Sequence, residues 1–150
     1  MSRAERAKEL FQEGYACSQA VVLAFADLAG VDEATLAKIT LPFGGGLGRL
    51  RLTCGAVSGM AAVVGLLFSD AENTPENKKK TYEIVRELCG RFQAENGSLI
   101  CADLLSGMKV PVEIGGEAEP RTAEYYKKRS CGNIVYRTAE ILEEYLKEKI

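Results

Sequence analysis

Apolar residues recur at helical spacing along most of the chain. Ala4, Ala7, Leu10 and Phe11 mark one face of a first helix, which Gly14 stops. From Cys17 to Ala29 nearly every position is apolar or small, so the pattern predicts a central second helix ending at Gly30. Asp32 can cap a third helix over Ala34 to Thr40, stopped by Pro42. After a glycine-rich stretch, Thr53 can cap a buried helix from Cys54 to about Phe68. Thr74 and Pro75 suit the N-cap and first turn of the next helix, which Gly97 ends. Tyr82, Val85, Leu88, Cys89 and Phe92 form its inner face. Ser98 can cap a short helix through Cys101 to Leu105. Ser106 to Pro120 reads as a loop with room for a short extended piece at "MKVPVEI", and Pro120 opens a helical segment to about Arg129. Ser130 can cap the last helix, with Cys131, Ile134, Val135, Thr138, Ile141, Leu142 and Tyr145 on one face. No segment carries a convincing strand period, and no repeat or linker interrupts the chain. The expected fold is all-α: a compact single-domain bundle of six or seven helices over residues 1–150.

The stretch that breaks this periodicity is "FGGGLGRLRLTCGAVSG", Phe43 to Gly59. A phosphate-binding P-loop needs GxxxxGK[ST], and no Lys-Ser or Lys-Thr follows these glycines. The dinucleotide fingerprint needs a third glycine where Arg49 or Arg51 stands, and a preceding strand. Gly44, Gly45, Gly46 and Gly48 instead suit a tight crossing of chain segments. Gly55 and Gly59, one turn apart, extend that small-residue face into the following helix. Arg49 and Arg51 can fold back to stabilise a thiolate at Cys54. Taken singly, each arginine reads better as a solvated charge.

The net charge of −2 argues against nucleic acid or an anionic membrane as the main partner. Histidine is absent, which removes Ser-His-Asp, Cys-His and His-ligated zinc chemistry. The apolar run from Cys54 to Phe68 is too short to span a bilayer, which needs roughly 20 residues. The charged N-terminal segment lacks the apolar core of a signal peptide. A reducing, cytoplasmic location is expected, in which the five cysteines remain thiols.

Four of those cysteines share a position. Cys54 follows Thr53, Cys131 follows Ser130, Cys101 follows Ser98 by three residues, and Cys17 opens the second helix. Free N–H groups and the positive end of the helix dipole lie there, and both favour a thiolate. Lys127, Lys128 and Arg129 add positive charge beside Cys131. Cys89 lies inside a helix and reads as a core residue. Four such thiols suit an iron–sulfur cluster or zinc, or a metal-free dithiol pair that cycles with a disulfide. They also fit a ligand-binding module in the glycine-lined crevice, with the cysteines as packing.

The segments "GYACSQAVVLAF", "FGGGLG", "TCGAVSGM" followed by "VVGLLF", "GSLICADLL" and "SCGNIV" resemble the redox-active proteins named for the cysteine pattern C-GCAxxG-C-C. The resemblance covers nearly the whole chain and puts the family's cysteines at Cys17, Cys54, Cys101 and Cys131, with Cys89 extra. The central motif departs from the name, reading Cys54-Gly55-Ala56 in place of Gly-Cys-Ala. A similar domain is associated with split-Soret cytochromes, which carry haem and have an implied iron–sulfur site. This chain has no CxxCH and no histidine, so haem does not transfer and the cysteine site does. The resemblance therefore implies redox activity. It favours an iron–sulfur cluster on these four cysteines, used in electron transfer with an unidentified redox partner. Gly44, Gly45, Gly46, Gly48, Gly55, Arg49 and Arg51 would surround the group. The chain's size and small-residue helix are compatible with a homodimer.

Overall fold

The computed structural model describes residues 1–149. Among them it is all-α. Helix α1 spans Arg3–Gln12, α2 Cys17–Leu23, α3 Ala26–Ala29 and α4 Glu33–Thr40. A 3-10 turn at Leu41–Phe43 leads into a distorted helical turn, α5, Gly44–Leu47. Then follow α6 Gly55–Phe68, α7 Pro75–Asn96, α8 Cys101–Gly107, α9 Ala123–Lys128 and α10 Cys131–Glu148. Seven of these helices have seven or more residues, in line with the expected bundle. No described helix is long and apolar enough to cross a membrane.

The core forms where the apolar stripes meet. Ala4, Ala7, Leu10 and Phe11 of α1 are buried, as are Ile134, Val135, Ile141 and Leu142 of α10, and these two helices pack along each other. The Thr138 hydroxyl is buried on the same face and donates to its own helix, at Ile134 O (2.7 Å). Helix α2 packs against α6 through glycines. A Cβ on Gly59 would lie 2.8 Å from Ser18 O, and one on Gly55 would lie 3.3 Å from Cys17 Cβ. Gly59→Ala should therefore cost about 1–3 kcal/mol through overpacking. Gly65, in the same helix with nothing near its missing Cβ, should gain about 0.5–1 kcal/mol as alanine. Chemical denaturation of the two variants checks both signs.

Several local expectations change under tertiary contact. The second helix is not continuous: it ends at Leu23 and resumes at Ala26. Arg3 takes the Ala24 carbonyl and pairs with Asp27, while Phe25 turns into the core. Thr53 is not a helix cap, because its backbone pairs with Ile100 in an isolated antiparallel bridge and Cys54 becomes the N-cap. Ile100 holds the N-cap position before α8. Ser98 instead accepts from the Ile100 N–H and donates to Asp103. Ser130 is the N-cap of α10, without a side-chain capping bond. Tyr82 is exposed, since α7 buries only Leu88 and Phe92. The "MKVPVEI" segment forms no strand with any described residue.

Candidate functional site

The glycine stretch curls on itself through backbone bonds from Gly48 N to Pro42 O, Arg51 N to Gly45 O and Leu52 N to Gly46 O. The curl depends on left-handed backbone. Gly45, Gly46 and Gly48 have positive φ, as do Leu47 (72°), Arg49 (63°) and Arg51 (61°). For side-chain-bearing residues this region costs about 1–2 kcal/mol each, and such strain gathers where side chains must be aimed. Segment 51–54 is then stitched to 99–102. Cys54 N donates to Leu99 O (2.8 Å), Cys101 N to Leu52 O (2.6 Å) and Ala102 N to Arg51 O (3.1 Å). This stitching brings the starts of α6 and α8 together. The close crossing at Gly55 brings up the start of α2, and α10 begins against α1 at Gly132.

As a result Cys17, Cys54, Cys101 and Cys131 line one cavity of about 340 Å³. So do Gly44, Gly45, Gly46, Gly48, Gly55, Arg49 and Arg51. Cys17, Cys101 and Cys131 are the first residues of their helices, and Cys54 caps its own. Cys89 does not line the cavity and packs half-buried against the core, and burial pushes its thiol pKa up.

Arg51 is not a solvated charge. Its side chain is 4% exposed, its Nη1 donates to Cys101 Sγ (3.7 Å) and its Nε to Glu113 O (2.9 Å). Arg49 is likewise held, with Nε on Gly115 O (2.9 Å). Three polar lining residues escaped the sequence reading as site groups: Glu119, Arg121 and Tyr125. Arg121 donates to the carbonyls of Phe11 and Tyr15 and stacks over the Phe11 ring at 4.4 Å. Arg129, expected only as a nearby charge, is buried over Tyr125 and bonds Glu119. Lys128 points to solvent and pairs with Glu124. Nothing in a single sequence ties the 109–122 segment to this cavity, since the link runs through the backbone carbonyls that Arg49 and Arg51 grip.

The cysteines differ in acidity, contrary to the uniform thiolate expectation. Cys131 is lowered to about 7, first by a hydrogen bond from Cys17 and then by the Arg129, Arg121 and Arg51 charges, against the opposing effect of burial. Cys17, the donor in that contact, is raised well above its usual value by the bond and by burial. Burial pushes Cys54 up to about 12, outweighing the N–H groups of Ala56 and Val57 that favour its thiolate. A helix start lowers a thiol's pKa only where burial does not outweigh it.

In the reduced, metal-free protein, Cys131 alkylation should therefore rise as pH passes through about 7 and then level off. Cys54 should stay unreactive well past pH 9, because its thiol deprotonates only near 12. Iodoacetamide labelling followed by peptide mapping reads both.

The metal-ligating groups that line the cavity are four sulfurs and the Glu119 carboxylate. A single zinc ion needs three or four donors around one point, and among the described residues no three His, Cys, Asp or Glu side chains gather that way. A cluster spreads its thiolates over several metal atoms, which suits sulfurs set around the walls of a cavity. The buried Arg51 Nη2 also lacks a hydrogen-bond partner within the protein.

The family model described as "Putative redox-active protein (C_GCAxxG_C_C)" matches residues 15–145. No curated protein and no solved structure matches the chain significantly.

Proposed function

Because the chain belongs to this redox-active, cysteine-patterned family, we propose that it is a redox protein whose Cys17, Cys54, Cys101 and Cys131 hold an iron–sulfur cluster for electron transfer. One observation carries the reading: four cysteines from separate segments line a single cavity. The cluster, when bound, would supply one-electron chemistry. The chain's own residues do the rest. The thiols act as ligands and must shed their protons to do so. Arg51, Arg121 and Arg129 offset the negative charge that four thiolates bring into a buried site. The curled glycines let the backbone approach the sulfurs closely.

A second reading has its own observation: Cys17 and Cys131 line the same cavity and shift each other's acidity in opposite directions. In that reading the Cys131 thiolate attacks the disulfide of a partner, forms a mixed disulfide and expels one partner thiolate. Cys17 then attacks Cys131, leaving a Cys17–Cys131 disulfide and the partner's second sulfur as a thiol. Two protein thiols are oxidised and one partner disulfide is reduced.

Iron, acid-labile sulfide, zinc and free thiols, measured with a visible spectrum on protein purified without oxygen, separate the readings. Near-stoichiometric iron and sulfide with a brown colour support the cluster. Metal-free protein whose Cys17 and Cys131 pair reversibly overturns the cluster and supports the dithiol. Metal-free protein with inert thiols overturns both.

A further inference from the structure

The cavity carries more positive charge than its own acid matches. Arg49, Arg51, Arg121 and Arg129 line it, and Glu119 is the single carboxylate among the lining residues. Three guanidiniums face one oxygen of that carboxylate. Arg129 Nη2 lies 2.5 Å from Glu119 Oε1, Arg49 Nη1 3.8 Å and Arg51 Nη2 3.9 Å. Only the first distance is a hydrogen bond. Arg51 Nη2 is buried with no hydrogen-bond partner, on a side chain that is 4% exposed. Arg121 spends its N–H groups on backbone carbonyls, which satisfies the donors and leaves the charge.

A buried charged N–H without an acceptor is costly, and one carboxylate oxygen does not bring three guanidiniums to bonding distance. An anion with several oxygens can. We propose that this corner of the cavity binds a small oxyanion, sulfate- or phosphate-sized, through Arg51, Arg49 and Arg129, and that Glu119 holds the place of one of its oxygens. Glu119 can yield that place, because its side chain is 33% exposed and it sits on the non-helical 109–122 segment beside Gly116 and Ala118 on the cavity wall. The anion would lie beside the redox sulfurs, since Arg51 also donates to Cys101. The site rests on the arginines, and Arg51 is shared between the anion and the sulfurs.

The test titrates sulfate by calorimetry into the full chain, purified and kept reduced without oxygen, with chloride holding ionic strength constant. The expected result is saturable binding of a single sulfate per chain. Glu119→Gln removes the competing charge and should tighten binding about tenfold, while Arg49→Gln should weaken it about tenfold. On protein that carries no iron, sulfate should also slow iodoacetamide labelling of Cys101 and leave Cys89 labelling unchanged. That readout on the wild-type chain locates the site even if a variant fails to fold. No saturable binding, an affinity indifferent to Glu119→Gln, or binding that leaves Cys101 unprotected would overturn the proposal. Iron content read on the same samples keeps this result separate from the fate of the cluster.

Discussion

Cys54→Ser is expected to lose iron and sulfide loading to background, while Cys89→Ser loads like the wild type. Cys54 is 7% exposed, caps α6, and has its backbone N–H committed to Leu99 O. Its sulfur therefore has a fixed place on the cavity wall. A serine oxygen there is a harder, far less acidic donor than a thiolate and suits iron–sulfur chemistry poorly. Altering only the partners of a ligand costs about 10–100-fold in metal affinity, so loss of a ligand itself should exceed that range. Cys131→Ser should behave the same way. Cys89 sits on α7 away from the cavity, and its serine variant should cost only about 1 kcal/mol of stability. Anaerobic reconstitution followed by iron and sulfide assay gives the comparison, and equal losses from Cys54→Ser and Cys89→Ser would sink the ligand assignment.

Gly46→Ala should be the most damaging small substitution in the chain. Gly46 is buried at φ +71°, and a Cβ there would lie 2.6 Å from Cys101 Cβ, 2.7 Å from Leu52 N and 2.8 Å from Arg51 Cα. Two of those three atoms are backbone and cannot rotate away. The left-handed conformation costs an alanine about 1–2 kcal/mol, and the forced displacement about 1–3 kcal/mol more. For a chain of this size the combined loss corresponds to a melting temperature lower by roughly 10 °C. The displaced atoms carry Cys101 and Arg51, so loading of the cysteine site should fall even where the protein remains folded. Gly48→Ala is the control: φ is also positive, but nothing lies within 4 Å of its missing Cβ. It should cost only about 1–2 kcal/mol and leave the site intact. Thermal melts and iron content on both variants decide the matter, and equal behaviour of the two would refute a packing role for Gly46.

Helix positions with local causes were readable in advance. The face of α1 follows from spacing. The Thr74–Pro75 start of α7 follows from capping, with Thr74 accepting from Asn77 N. Asp32 caps α4 by the same rule. The failures share a cause of another kind. The break after Leu23 depends on Arg3, twenty-one residues away from Ala24. The loss of the Thr53 cap depends on Ile100, and the exposure of Tyr82 on how little of α7 the bundle covers.

The cysteine site divides along the same line. The sequence alone placed Cys17, Cys54, Cys101 and Cys131 at or beside helix starts, because helix boundaries respond to residues within a turn or two. It also determined that a glycine-rich stretch precedes Cys54, and that any metal site here would do without histidine. Only the tertiary structure decided that the four sulfurs share one cavity, since convergence is made by contacts between distant segments: α6 crossing α2 at Gly55, and residues 51–54 stitched to 99–102. It alone decided that Cys131 is acidic and Cys54 is not, because burial and the surrounding guanidiniums come from the whole fold. Arg121 and Glu119 line the cavity for the same reason: they reach it through space, and chain order carries no record of it, whereas Arg51 was legible from its nearness to Cys54.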